Sequence, residues 1–291
     1  MTDQSVRRRD VYDLGPTPVF ASRADPRFGY CLYVPPSFGR GGPAPELVVA
    51  MHGTGRGFVG YRDAFAAFAR WNNCILLAPL FPIGVLGDGN ADGFKYIREA
   101  DIRYDRALLA IVDEVAERHG LAFERFALFG YSGGGHFAHR FLMLHPGRLW
   151  AVSIGAPGSV TLLDPTRDWW VGIRNFRALF GAEPDIEAMR RVPVQMVVGA
   201  ADLETWEITH KPGGRNWMPD ANHAGGTRPE RLMALRKSFE AAGIPVRFDL
   251  LPNMAHDGLA AVPRAEDFFA DLLTARRRAA ESGPPRALQV S

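Results

Sequence analysis

Along the chain, short and nearly continuous apolar runs alternate with longer stretches of mixed character. The runs are TPVFASR and GYCLYVPP near the start, then ELVVAMHG (46–53), CILLAPL (74–80), RFALFGYS (125–132), LWAVSIGAPG (149–158), VPVQMVVGAAD (192–202) and VRFDLLPN (246–253). Each is of strand length, and a strand apolar on both faces has to be covered on both, as in a parallel sheet flanked by helices. Helical patterns fill the intervals. YRDAFAAFARWN separates the third and fourth runs, and RYDRALLAIVDEVAERHG closes on a glycine, a C-terminal helix signal. TRPERLMALRKSFEAAG opens on Thr227 with Glu230 three residues later, the spacing of a capping box, and AEDFFADLLTARRRAA forms the last helix. The alternation predicts one α/β domain spanning 1–291, with a mostly parallel central sheet flanked by helices.

Two stretches break the rhythm. Residues 159–191 make a long excursion between two strands, and residues 203–226 form a polar, aromatic loop rich in turn residues. Loops of this length in compact domains are commonly lids or binding loops. Four of the six tryptophans, Trp169, Trp170, Trp206 and Trp217, fall in these insertions, and they are read as walls of a substrate pocket.

Composition narrows the function classes. Thirty-four basic against thirty-two acidic residues leave a formal charge of +2, which gives no electrostatic case for nucleic acid or an anionic membrane. The N-terminal MTDQSVRRRDVYDLG has arginines without a following apolar stretch, so no secretory signal is read there, and no run is long enough to span a bilayer. The tail ESGPPRALQVS reads as frayed. Cys31 and Cys74 lie in separate strand-like runs and are expected to be buried, reduced thiols, consistent with the cytoplasm. They have no metal-ligand spacing, and neither metal nor cofactor is expected.

The chemistry is carried by Gly130-Tyr131-Ser132-Gly133-Gly134, between a strand and a helix. That is the setting of a nucleophile elbow, a sharp turn that projects the serine hydroxyl above the sheet. The glycines are expected to clear space for a substrate carbonyl beside Ser132. A serine hydroxyl needs a base to take its proton. Of the eight histidines, His119 and His145 sit at helix ends, His136 and His139 follow Ser132 on its own helix, and His52 braces a loop. His210 and His223 lie in the polar loop. His256, in LLPNMAHDG just past the last strand, stands at the carboxyl edge from which Ser132 emerges, and is assigned as the base. Asp202, at the end of VPVQMVVGAAD, is the orienting acid, with Glu204 its nearest rival and Asp257 too close in sequence to curl back. One oxyanion donor is the N–H of Gly133 at the helix start; the second, in MHGTGRG, is assigned to Thr54. Neither glycine-rich stretch has a P-loop ending or a dinucleotide fingerprint.

Over residues 30–275, HGTG, GYSGG, GAAD and NMAHDG together resemble the α/β-hydrolase superfamily. LYVPPSF, ELVVAMHGTG and GYSGGGHFAHRFLMLHPGRLWAV look like its branch of polyhydroxybutyrate-depolymerase-like and feruloyl-esterase-like proteins. The resemblance implies a serine esterase that acts on a small-molecule ester through an acyl-enzyme, without a cofactor. Thioesterase, amidase or cofactor-free perhydrolase chemistry on the same site, and a non-catalytic binding protein of this fold, are the other readings.

Overall fold

The computed structural model describes residues 13–281; the MTDQSVRRRDVY segment and the tail after Glu281 lie outside the described residues. The strands are β1 (Gly15–Pro16), β2 (Phe20–Ala21), β3 (Gly29–Val34), β4 (Glu46–Met51), β5 (Cys74–Leu80), β6 (Arg98–Glu99), β7 (Ile102–Arg103), β8 (Phe126–Tyr131), β9 (Leu149–Gly155), β10 (Val194–Gly199) and β11 (Val246–Leu251). Nine of them form one sheet in the order β1-β3-β5-β4-β8-β9-β10-β11, with β2 also on β3, and β6 and β7 make a separate ribbon. Every pairing from β5 across to β11 is parallel. The parallel expectation stops at the N-terminal edge, where β1 and β2 run antiparallel to β3, and β3 antiparallel to β5. The link from β2 to β3 is a short loop, which suffices for antiparallel neighbours but not for a parallel crossover.

The helices are α1 (Phe58–Ala64), α2 (Ala66–Trp71), α3 (Tyr104–His119), α4 (Gly133–Leu144), α5 (Phe176–Phe180), α6 (Ile186–Arg190), α7 (Arg228–Ala241) and α8 (Val262–Glu281). The pattern YRDAFAAFARWN thus yields two short helices divided at Phe65. Gly120 ends α3 in the left-handed region at φ 63°, and Thr227 and Glu230 form the reciprocal capping box of α7. Helix α4 is buried from Gly133 to Met143, because it packs on β8 and β9 beneath other elements. The first insertion holds α5 and α6, whereas 203–226 has turns only.

Parallel strands end at one edge, and the spatial order β5-β4-β8 shows where the chain reverses its direction of travel across the sheet. The crevice between the carboxyl ends of β4 and β8 is the topological switch point, where open α/β sheets bind ligands. HGTG follows β4 and Ser132 follows β8, so both Gly-rich stretches face this crevice. β11 is the exception to two-sided cover: as the sheet's edge strand it is only half-buried, and its Arg247 and Asp249 pair with each other at 3.0 Å. Cys31 and Cys74 are both buried and unbridged, and burial pushes their thiols up to about 11 and about 12. Among the described residues no helix is long and apolar enough to cross a membrane.

Candidate active site

Ser132 sits between β8 and α4 at φ 56° and ψ −119°, a conformation that L-residues rarely adopt and that turns the chain sharply enough to expose the side chain. The surrounding glycines are explained by backbone contact more than by room for a substrate. A Cβ at Gly134 would lie 2.4 Å from Met51 O, and one at Gly130 would lie 2.2 Å from Gly134 O. These glycines let α4 press onto β4 and β8. Gly133 alone faces the crevice, where an added Cβ would come within 2.9 Å of Thr54 N. The N–H of Gly133, in the first turn of α4, has no intrahelical partner and carries the positive end of the helix dipole.

The loop bearing Thr54 is held by two residues. His52 is fully buried; its Nδ1 lies 2.8 Å from Gly53 O and its Nε2 accepts from Phe81 N–H at 3.0 Å. Arg56, at φ 55°, donates to Thr54 O at 2.6 Å, to Phe81 O at 3.0 Å and to Ala91 O at 2.8 Å, with its guanidinium 4.9 Å from the Phe94 ring centre. Three carbonyls gripped by one planar fork fix the peptide plane at Thr54.

Asp202 and His256 leave neighbouring strands, and their loops are stitched together by backbone. Ala200 N–H donates to Leu251 O at 2.8 Å and Ala201 N–H to Met254 O at 2.9 Å. The approach requires Gly199, since a Cβ there would lie 2.1 Å from Met254 O. As a result His256 Nδ1 bonds Asp202 Oδ2 at 2.6 Å across 54 residues of sequence. That bond leaves Nε2 for the cavity. The Asp202 side chain is completely buried, while that of His256 is 27% exposed. Tyr131 stacks obliquely on the imidazole, ring centres 5.3 Å apart.

The second oxygen of Asp202 accepts from Arg228 Nη1 at 2.9 Å, and Arg228 Nη2 reaches Glu207 Oε2 at 2.6 Å. Arg228 is 3% exposed, so this cation sits in the low dielectric directly behind the aspartate. Neither Arg228 nor Arg56 was anticipated from the sequence. Arg56 could have been suspected from its place inside HGTGRG. Arg228 had no local signal, being simply the first residue after a helix cap.

Ser132, His256, Gly53, Thr54, Tyr131 and Arg228 line one cavity of about 680 Å³, together with Lys95, Tyr96, Glu207, Ile208 and His210. Trp206 lines it too. The residue is 72% exposed, and its Nε1 donates to Glu204 Oε2 at 3.0 Å, so Glu204 faces the indole rather than His256. Trp169, Trp170 and Trp217 line a different cavity, which shares Tyr96 with the first. Of the arginines in the insertions, Arg167, Arg174 and Arg215 are in ion pairs with Asp220, Asp168 and Asp88.

The remaining buried histidines serve the framework. His136 Nε2 accepts from Gly158 N–H at 2.7 Å, and His139 Nε2 from Thr161 N–H at 3.0 Å. Burial lowers His52 to about 3 and takes His136 and His139 well below the usual histidine range. In the unfolded chain these side chains titrate near ~6.5, so below that pH the unfolded state binds protons that the folded state refuses. Their contribution to stability is therefore complete above about pH 6.5 and lost as pH falls, at most about 1.4 kcal/mol per histidine per pH unit. The expected result is a Tm that drops on acidification, with a shallower drop in His52→Gln measured by calorimetry over the same range. Parallel slopes for the two proteins would contradict this.

No family model matches the sequence, and no curated protein matches it. Solved structures do. A poly(aspartic acid) hydrolase from Sphingomonas sp. KT-1 is 21% identical, with a TM-score of 0.67 over 82% of this chain and 92% of that one. A poly(3-hydroxybutyrate) depolymerase from Bordetella parapertussis is 22% identical, with a TM-score of 0.67 over 84% of this chain and 85% of that one. An S-formylglutathione hydrolase from Agrobacterium tumefaciens is 17% identical, with a TM-score of 0.57 over 85% and 89%. At these identities the likeness is one of fold.

Proposed function

We propose that this chain, which has the α/β-hydrolase fold, is a serine hydrolase that cleaves small carboxylic esters. The observation that carries the reading is the 2.6 Å bond from the buried Asp202 to His256, on a cavity that also receives Ser132 and the Thr54 loop. In the proposed reaction Ser132 Oγ attacks the ester carbonyl while His256 Nε2 takes its proton. Asp202 keeps the imidazole in the tautomer with Nδ1–H toward the carboxylate and stabilises the imidazolium. The N–H groups of Gly133 and Thr54 donate to the oxyanion, in a site whose dipoles are already oriented. Collapse expels the alcohol, which receives the proton from His256. Water then attacks the acyl-Ser132 with His256 again as base, releasing the acid and restoring the serine. The buried thiols of Cys31 and Cys74 favour the cytoplasm as its compartment.

A fluorophosphonate probe tests the reading directly, since only an activated serine is labelled. Peptide mapping should find the label on Ser132, and p-nitrophenyl esters should be hydrolysed faster than the matching thioesters and anilides. An unlabelled protein would leave a binding protein of this fold, and a preference for anilides or thioesters would change the substrate class.

Arg228 offers a second check. Its guanidinium holds the second oxygen of Asp202. Arg228→Gln should lower kcat several-fold at nearly unchanged KM, because the carboxylate that orients His256 loses that donor. A purely structural arginine would lower Tm and leave kcat in place.

The loop 203–226 is proposed to select the substrate, because Trp206, Ile208 and His210 bring it to the cavity. Trp206→Ala should reorder the ester panel by a few-fold at nearly unchanged Tm, given its exposure. Trp170→Ala should instead melt several degrees earlier, since Trp170 is 7% exposed and packs on Tyr96 and His210. A Trp206→Ala protein with the wild-type ranking would remove this loop from substrate choice.

A further inference from the structure

The second cavity, of about 480 Å³, lies where the two insertions meet, as Trp170 Nε1 donates to Asn216 O at 3.0 Å. Tyr96, Trp169, Trp170 and Trp217 line it together with Arg98 and Arg215, and among the described residues no aspartate or glutamate does. Arg98 is exposed. Its Nε donates to Ala100 O at 3.2 Å, and among the described residues it has no carboxylate partner. Arg215 is tied to Asp88 at 2.6 Å.

A third cation lies beneath the rings. Arg140 of α4 is fully buried and donates to Thr161 Oγ1 at 2.9 Å, Lys95 O at 2.5 Å and Ser159 Oγ at 3.2 Å, all of them neutral acceptors. Its guanidinium is 4.7 Å from the ring centre of Tyr96, 5.7 Å from that of Trp169 and 5.6 Å from that of Trp170. Burial lowers it only to about 10, so it stays charged at neutral pH. A buried charge without a counter-charge sends its field through the surrounding low dielectric, and a cation against aromatic rings draws their π density toward itself. The groove therefore joins flat apolar walls to positive potential.

We propose that this groove binds a planar apolar carboxylate, the class of free aromatic acids. The rings would stack on the ligand, and Arg98 would take its carboxylate in a charge-assisted, bidentate contact. The proposal does not depend on the ester-hydrolase reading, because of the side chains it uses only that of Tyr96 is shared with the Ser132 cavity.

Calorimetric titration of the Ser132→Ala protein tests it without turnover, with 2-naphthoate as the probe and 2-naphthamide as its neutral isostere. Naphthoate should bind about fivefold or more tightly than the amide, the size of one partly exposed charge contact. Arg98→Gln should remove that preference, and Trp217→Ala should weaken both compounds. Both side chains are surface-accessible, so the variants should keep the parent Tm. Trp206→Ala, in the other cavity, should leave naphthoate affinity unchanged. Equal affinity for acid and amide, an unaltered preference in Arg98→Gln, or loss of binding in Trp206→Ala would each overturn the proposal.

Discussion

Ser132→Ala and His256→Ala are each expected to remove nearly all ester turnover, by roughly 10⁴ to 10⁶ in kcat, and the double variant should be little worse than either. The reason is that the proposed proton transfer is one event shared by two groups. Without the base the hydroxyl is inert, and without the hydroxyl the base has nothing to activate. The protein should remain folded in both cases. Ser132 contributes little to the core, and its backbone bonds, N–H to Gly155 O at 2.9 Å and C=O from His136 N–H at 3.1 Å, survive substitution. Its positive φ supplies an independent readout. Ser132→Gly removes the Cβ that the φ 56° conformation strains, so this inactive variant should melt later than wild type. Kinetics on p-nitrophenyl esters, fluorophosphonate labelling and calorimetry on the same preparations check all of this. A Ser132→Ala protein that keeps even a tenth of wild-type turnover would refute the assignment.

Asp202→Asn should lower kcat by roughly 10⁴ with the fold intact. The amide can still accept from Arg228 through its oxygen. Its NH₂ group then faces His256 Nδ1, which must become the acceptor, so the proton moves to Nε2 and the base is blocked. Glu207 keeps its 2.6 Å contact with Arg228, so the buried guanidinium is not left without a counter-charge. Glu204→Gln should cost little, because the Glu204 carboxylate meets the Trp206 indole at the surface. Steady-state kinetics on the two variants decide between them, and the reverse ranking would transfer the acid's role to Glu204.

The framework of this molecule was legible in local sequence because its causes are local. Strand-length apolar runs became β3, β4, β5, β8, β9 and β10, since a segment apolar on both faces is stable only inside a covered sheet, and the more polar VRFDLLPN became the half-buried edge strand β11. Gly120 and the Thr227/Glu230 pair ended and began helices as their spacing required, because caps act within one turn. The small-residue seam at 130–135 announced a turn with close backbone approach. The order of strand ends then put HGTG, Ser132, Asp202 and His256 on one edge.

Tertiary structure decided what depends on residues far apart in the chain. Asp202, not Glu204, meets His256 because Gly199 lets the loops after β10 and β11 interlock, a contact made across 54 residues. Arg228 became the aspartate's second partner only when α7 docked beside that edge. The four tryptophans were alike in sequence, yet Trp206 joined the Ser132 cavity while the other three lined the neighbouring groove. Most of the glycines around Ser132 answer to carbonyls of β4, β9 and α4 rather than to a ligand. Local patterns report propensity and burial within a few residues. Which distant side chains come to share a cavity, and which charges are left facing rings instead of carboxylates, is set by how the elements pack.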